Sequence, residues 1–116
     1  MPIPVTIADD SAFSRKNVRR AIPEDWDVSI SEASNGQEAI DAVEAGLADI
    51  LFLDLTMPVL DGFDVLRYVK SHHQKTIVIV ISADVQPKSV ELVTSLGAFR
   101  FLQKPLQPDE LKKSVT

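Results

Sequence analysis

Short apolar runs alternate with helix-like segments along the whole of this 116-residue chain, and this alternation limits the possible folds more than any other feature. The runs with strand character cover residues 5–8, 28–31, 50–53, 76–81 and 98–102. Patterns with helical character cover residues 11–22, 37–45, 63–70, 87–96 and 108–115. Repeated βα units predict an α/β domain, in which a doubly wound parallel sheet carries helices on both faces.

Proline and glycine mark the ends of several predicted elements. Pro23 stops the first helix, and Gly46 and Gly97 close the second and fourth helices. The pair Asn35-Gly36 is interpreted as a turn before the second helix.

The composition excludes several classes of function. The formal net charge of -5 argues against a domain that grips nucleic acid through its own charge. The chain has no cysteine, which rules out disulfides and thiol chemistry. No apolar run approaches the ~20 residues of a membrane helix. We therefore expect one cytoplasmic domain over residues 1–116, with no membrane contact.

Polar residues stand at the carboxyl ends of the predicted strands: Asp9-Asp10, Asp54, Ser82 and Lys104. In a parallel βα sheet these ends lie at one edge, where such folds bind their ligands. Carboxylates that meet there repel one another unless a cation joins them, and hard oxygen ligands suit Mg²⁺. A carboxylate beside Mg²⁺ can attack phosphorus and form an aspartyl phosphate. This chemistry predicts Asp54 as the nucleophile.

Each of these residues also has a purely structural interpretation. Asp9 or Asp10 could cap the first helix. Asp54 could serve a turn before Pro58, and Ser82 could bond nearby backbone. Lys104 could be a solvated surface charge.

The motifs together resemble the receiver domain of two-component response regulators. The matching residues are Asp9-Asp10, Asp54-Leu55-Thr56-Met57-Pro58, Asp61-Gly62, Ser82-Ala83, Gly97-Ala98 and Lys104-Pro105. The resemblance implies a flavodoxin-like five-stranded parallel sheet in the order 2-1-3-4-5.

The resemblance also implies a role for each site residue. Asp54 is the expected phosphoacceptor, and Lys104 and Ser82 are expected to contact the phosphoryl group. The expected Mg²⁺ ligands are Asp9, Asp10, Asp54 and the backbone carbonyl of Thr56. Phe101 is expected to switch between outward and inward rotamers together with Ser82. The Lys104-Pro105 bond is expected to be cis.

The partners implied are a histidine kinase or histidine phosphotransfer protein as phosphodonor, and an effector or second copy as receiver of the signal. The output surface is expected on the fourth helix, last strand and last helix, where Phe99 and Phe101 project from one side. A basic row on the first helix, Arg15, Lys16, Arg19 and Arg20, could meet the phosphodonor or could simply be a solvated face. The domain could be one piece of a longer regulator.

Two other functions start from the same residues. A haloacid-dehalogenase-type phosphatase would also use an Asp nucleophile after an apolar strand, but its general acid would stand two residues later, where this chain has Thr56. An adaptor that does not depend on phosphorylation would need no intact pocket. We expect a signalling switch whose own chemistry is limited to self-phosphorylation and slow self-dephosphorylation.

Overall fold

The computed structural model describes residues 2–72, 75–104 and 106. Its strands are Ile3–Ala8 (β1), Val28–Ala33 (β2), Ile50–Leu53 (β3), Ile77–Ser82 (β4) and Arg100–Gln103 (β5). Its helices are Ala12–Ala21 (α1), Gly36–Glu44 (α2), Gly62–His72 (α3) and Pro87–Ser95 (α4). The helix predicted over 108–115 and the bond to Pro105 lie outside the described residues.

All strand pairs are parallel, and the sheet has the order β2-β1-β3-β4-β5, which confirms the predicted topology. The register aligns Ala8 with Leu53, Leu53 with Val80, and Val80 with Phe101. The strands therefore finish at nearly the same level, which brings the polar residues that follow them to one edge.

The two faces of the sheet carry separate cores, because alternate strand residues point to opposite sides. One core joins Leu51, Leu53, Val78 and Val80 to the apolar sides of α2, α3 and α4. The other joins Val5, Ile7, Phe52, Ile79 and Ile81 to Val18 and Ala21 of α1. The apolar runs of β3 and β4 are thus strands covered on both faces, as their sequence predicts.

The start of α1 is capped by Ser11, whose side chain accepts a hydrogen bond from the Ser14 amide at 3.2 Å. This finding corrects the capping interpretation of the acidic pair. Asp9 instead accepts the Ser11 amide at 2.9 Å and organises the turn before the helix. Both carboxylates are thereby left facing the sheet edge.

The starts of α2 and β5 differ from the predicted starts for identifiable reasons. The chain bends at Asn35, as the Asn35-Gly36 pair predicts, but Asn35 is also the N-cap of α2: its side chain accepts the Glu38 amide at 2.8 Å, so the helix begins at Gly36 rather than at residue 37. The last strand begins at Arg100 rather than Ala98. The Ala98 amide still bonds to Val93 at the end of α4, after Gly97 adopts a φ of 92°.

Gly36 lies against the loop that follows β3, and the contact leaves no room for a side chain. A Cβ at this position would meet the Leu60 carbonyl oxygen at 2.0 Å and the Leu60 Cβ at 2.7 Å. The first turn of α2 is therefore packed directly on backbone of the loop between β3 and α3.

We predict that Gly36→Ala destabilises the domain, although alanine is the better helix former by about 1 kcal/mol. The new methyl group must displace backbone, and overpacking of this kind costs about 1–3 kcal/mol. Urea unfolding measures the change, with Gln37→Ala on the exposed side of the same turn as the control. A Gly36→Ala variant as stable as the wild type would contradict the contact.

Candidate functional site

Asp9 and Asp10 follow β1 directly, and they differ in burial. Asp9 is 3% exposed and its amide bonds to the Ala33 carbonyl of β2 at 3.0 Å, while Asp10 is exposed. The Asp9 carbonyl accepts a hydrogen bond from Arg15 Nη1 at 2.7 Å. The buried acid is therefore held by backbone bonds, and the exposed acid remains open to a ligand.

Asp54 follows β3 and is 7% exposed. Its amide bonds to the Ala8 carbonyl at 2.9 Å, which continues the ladder between β1 and β3 and sets its carboxylate beside Asp9. Its Oδ1 accepts the Leu55 amide at 2.9 Å, so the side chain has a fixed orientation. The acid is thus positioned by regular sheet geometry.

The loop from Leu55 to Asp61 is tightly held at its far end. A Cβ on Gly62 would lie 2.4 Å from the Asp54 carbonyl oxygen, so α3 begins in direct contact with the backbone of Asp54. Within the loop, the Leu60 amide bonds to Pro58, and the exposed Val59 between them has a φ of 70°. This left-handed conformation is strained for a β-branched residue.

Lys104 reaches the same pocket from the end of β5. Its Nζ lies 2.7 Å from Asp9 Oδ2 and 3.5 Å from Asp54 Oδ2, and it also donates to Ser14 Oγ at 3.3 Å. Its backbone amide bonds to the Ser82 carbonyl, which aligns the end of β5 with the end of β4. Lys104 is thus part of the pocket, and its interpretation as a solvated charge is wrong.

The electrostatics of the pocket follow from this arrangement. Burial raises the pKa of Asp54, and the neighbouring Asp9 charge raises it further, while Lys104 opposes both. For Lys104, burial lowers the pKa, but the hydrogen bond to Asp9 and the charges of Asp54 and Asp9 outweigh it, so the net pKa is raised. The pocket therefore favours the protonated form of Lys104 and makes ionisation of Asp54 cost free energy.

The pocket offers a plausible set of ligands for a divalent cation. Asp9, Asp10 and Asp54 each present a carboxylate oxygen, and these oxygens lie within 4.8 Å of one another. Three hard anionic ligands of mixed burial match the preference of Mg²⁺, which usually keeps several of its waters. The donor set therefore fits the ion that the sequence predicts.

Ser82 and Phe101 lie on the two strands beyond β3 in the sheet, and Lys104 follows the second of these strands. Ser82 is 1% exposed at the end of β4, and its Oγ accepts the Asp84 amide at 3.1 Å. Phe101, on β5, is half-buried against the core on the α2–α4 face. The side chain of Thr56 is exposed beyond Asp54.

Phe99 differs from its predicted setting. It precedes β5, is 46% exposed, and its ring lies 4.4 Å from the Arg100 guanidinium carbon. It is a surface ring beside the strand, whereas Phe101 is a strand residue that packs on the core.

Part of the basic row on α1 has a structural role that the sequence analysis missed. Arg15 Nε and Arg19 Nη2 bind the two carboxylate oxygens of Glu32 at 2.8 and 2.9 Å. These hydrogen bonds lower the pKa of Glu32. The spacing of four residues between the arginines could have indicated a shared partner, but the partner lies on β2. Lys16 and Arg20 are exposed.

The comparisons with known proteins agree with this fold and site. The family model of the response regulator receiver domain matches residues 5–116. The chain is 29% identical to the chemotaxis protein CheY of Bacillus subtilis, with 96% of this chain and 92% of that protein covered. It is 35% identical to the probable transcriptional regulatory protein NarL of Mycobacterium tuberculosis (strain H37Rv), covering 96% of this chain but 52% of that protein.

Solved structures show the same similarity. The signal receiver domain of the putative response regulator NarL from Mycobacterium tuberculosis superposes with a TM-score of 0.88 at 34% identity, covering 98% of this chain and 93% of that one. CheY in the CheX–CheY complex with BeF3 and Mg from Borrelia burgdorferi gives 0.87 at 30% identity, covering 99% and 87%.

The doubly wound sheet with an acidic pocket at its carboxyl edge is that of a two-component signalling module. The chain belongs to the response regulator receiver domain family. Within the described part of the chain, no helix is long and apolar enough to cross a membrane.

We predict that Asp54→Asn makes the domain more stable in EDTA at neutral pH. A carboxyl group whose pKa is raised by folding disfavours the folded state once it ionises. Removing its charge should therefore raise the free energy of unfolding. The advantage should fade as pH falls through the raised pKa of folded Asp54, and should be gone below the ordinary Asp value of 3.8, where the wild-type group is protonated in both states. Urea unfolding across this pH range measures it.

The same experiment with millimolar Mg²⁺ tests the metal ligands. Mg²⁺ should stabilise the wild type, because it binds the folded state, and should stabilise Asp54→Asn less. Asp49→Asn, at the amino end of β3, is the control and should respond to Mg²⁺ as the wild type does. Equal stabilisation of the wild type and Asp54→Asn would contradict the site.

Proposed function

We propose that this domain is a phosphorylation-controlled signalling switch in which Asp54 accepts a phosphoryl group in the presence of Mg²⁺. The observation that carries the proposal is the position of the Asp54 carboxylate, buried beside Asp9 and within 3.5 Å of the Lys104 ammonium. Asp54 is a buried carboxylate at an open sheet edge. The proposed Mg²⁺ ligands lie on one side of it and the Lys104 ammonium on the other, an arrangement that suits attack on phosphorus.

The chain's own residues divide the work of the transfer. An Asp54 oxygen attacks phosphorus as the bond to the donor nitrogen breaks, and the leaving imidazole keeps that electron pair. Lys104 neutralises one phosphoryl oxygen, and Ser82 can donate its hydroxyl proton to another. Asp9, Asp10, Asp54 and the Thr56 carbonyl would hold Mg²⁺, which would supply charge neutralisation for the incoming phosphoryl group.

The residue two places after Asp54 separates a switch from a dedicated phosphatase. Thr56 has no carboxyl group to act as the general acid of a haloacid-dehalogenase-type enzyme. Hydrolysis of the aspartyl phosphate should therefore be slow, and the modified state should last long enough to signal. The complete acidic pocket argues against an adaptor that works without phosphorylation.

The phosphodonor in this proposal is a histidine kinase or histidine phosphotransfer protein, and the site of transfer is the cytoplasm. CheX and CheY in the Borrelia burgdorferi complex were solved together with BeF3 and Mg.

A partner contact on α1 would use the exposed Lys16 and Arg20, because Arg15 and Arg19 are bound to Glu32.

The output in this proposal passes from Ser82 to Phe101. If Ser82 moves toward a phosphoryl group on Asp54, it leaves space that the half-buried Phe101 ring can enter. The two ring positions are then states of one packing element, and the phosphoryl group biases the choice between them. Phe99 and α4 flank this element and would present the changed surface to an effector or a second copy.

We predict that acetyl phosphate with Mg²⁺ gives a single phosphorylated species by intact-mass analysis. Asp54→Asn should give none, because an amide is a poor nucleophile. Lys104→Ala should react more slowly by on the order of a hundredfold, the usual cost of losing one group that stabilises transition-state charge. Asp49→Asn should react normally. Phosphorylation of Asp54→Asn at the wild-type rate would disprove the assignment.

We also predict that beryllofluoride shifts the aromatic NMR signals of Phe101 and changes self-association measured by sedimentation. Phe101→Ala should still form the adduct but lose the change in self-association. Phe99→Ala, the matched control, removes an exposed ring and should leave the Phe101 shift intact. Unchanged Phe101 signals on adduct formation would place the switch elsewhere.

A further inference from the structure

Asp84, in the loop between β4 and α4, makes hydrogen bonds in two directions. Its amide donates to Ser82 Oγ at 3.1 Å. Its Oδ1 accepts the Gln86 amide at 3.1 Å, and its Oδ2 accepts the Ser89 hydroxyl at 2.8 Å. One residue therefore joins the hydroxyl beside the acidic pocket to the first turn of α4. We name these three bonds the Asp84 clasp.

The first turn of α4 depends on the clasp because its own cap is weak. Gln86 is the N-cap residue, but its side chain makes no capping hydrogen bond within the described part of the chain. Pro87 takes the first helical position and has no amide hydrogen to satisfy. Asp84 lies two residues before the N-cap, and its carboxylate makes the hydrogen bonds to this turn instead. Its negative charge also interacts favourably with the positive end of the helix dipole.

The Ser82 hydroxyl takes part in both the clasp and the proposed chemistry. In the structure Ser82 Oγ accepts from Asp84, so its position is set by the loop. Movement of Oγ toward a phosphoryl group on Asp54 draws it away from the Asp84 amide. The hydroxyl could accept one hydrogen bond while it donates another, so the two contacts compete for the position of Oγ: the phosphoryl contact needs Oγ near Asp54, and the clasp needs it near the Asp84 amide.

We infer that Asp84 is a positioning residue that couples the state of Asp54 to the amino-terminal turn of α4 through Ser82. The inference rests on the proposed function. The clasp stabilises the unmodified arrangement, and binding at Asp54 must loosen it. By linkage, a variant that lacks the two carboxylate bonds of the clasp binds a phosphoryl mimic more tightly. Its backbone amide still bonds to Ser82, but movement of Ser82 no longer strains the bonds to Gln86 and Ser89.

The test measures beryllofluoride affinity in Mg²⁺ by NMR titration, together with amide hydrogen exchange in the first turn of α4. Asp84→Ala should bind about fivefold more tightly or better, the lower range of typical coupling between sites. Its Ser89 and Val90 amides, which bond to Gln86, should exchange faster without beryllofluoride. Beryllofluoride should speed that exchange in the wild type and change it little in Asp84→Ala.

Two further variants separate coupling from simple electrostatics, because removing any acid near the pocket favours an anion. Asp84→Asn loses the charge but keeps an oxygen for the Gln86 amide and a polar group for Ser89, so its affinity should stay near wild type. Ser89→Ala keeps the charge but loses one bond of the clasp, so its affinity should rise partway. Glu91→Ala removes an exposed charge from α4 and should have little effect.

The outcomes distinguish this inference from the function on which it rests. If the wild type binds no beryllofluoride, the proposed function is wrong and the inference falls with it. If the wild type binds but Asp84→Ala has the same affinity, the inference alone is wrong. Equal tightening in Asp84→Ala and Asp84→Asn, with no effect of Ser89→Ala, would also overturn it, because the effect would then be one of charge.

Discussion

The ammonium group of Lys104 between Asp9 and Asp54 is the interaction on which this site depends. The sheet topology brings the ends of β1 and β3 side by side, and each end is followed by an acid. Two buried carboxylates in contact would repel strongly without compensation. Lys104 supplies the compensating positive charge. The end of β5 holds its ammonium 2.7 Å from Asp9 and 3.5 Å from Asp54. The edge strand therefore contributes directly to the charge balance of the pocket.

The positions of the acids follow from backbone bonding that continues beyond the strands. Asp9 bonds to Ala33 and Asp54 bonds to Ala8, so both acids extend the ladders of their strands by one residue. Ser11 caps α1, while the Asp9 carboxylate accepts the Ser11 amide with Oδ1 and faces Lys104 with Oδ2. The sheet thus keeps the Asp9 and Asp54 carboxylates close together, and Lys104 reduces the electrostatic repulsion between them.

Most of the fold and the main members of the site could be predicted from the sequence, because both depend on local patterns. Strand and helix periods specify the βα order, and the polar residues stand at predictable strand ends. The Asp84 clasp, the Glu32 bridge and the close approach of Gly36 to Leu60 join different elements, and spacing along the chain does not reveal such contacts. β5 starts at Arg100, two residues later than the apolar pattern predicts, because the Ala98 amide makes a hydrogen bond at the end of α4.

The loop between β3 and α3 is enclosed on two sides by glycines. Gly36 of α2 touches Leu60, and Gly62 of α3 touches the Asp54 carbonyl, so neither neighbour leaves space for added volume. The side chain of Val59 points away, with 74% of its surface exposed. Different side chains in this loop can therefore be accommodated only where they point into solvent. Related chains can change what they display around the pocket at the exposed positions of this loop, Val59 among them, while the enclosed backbone that carries Asp54 keeps its shape.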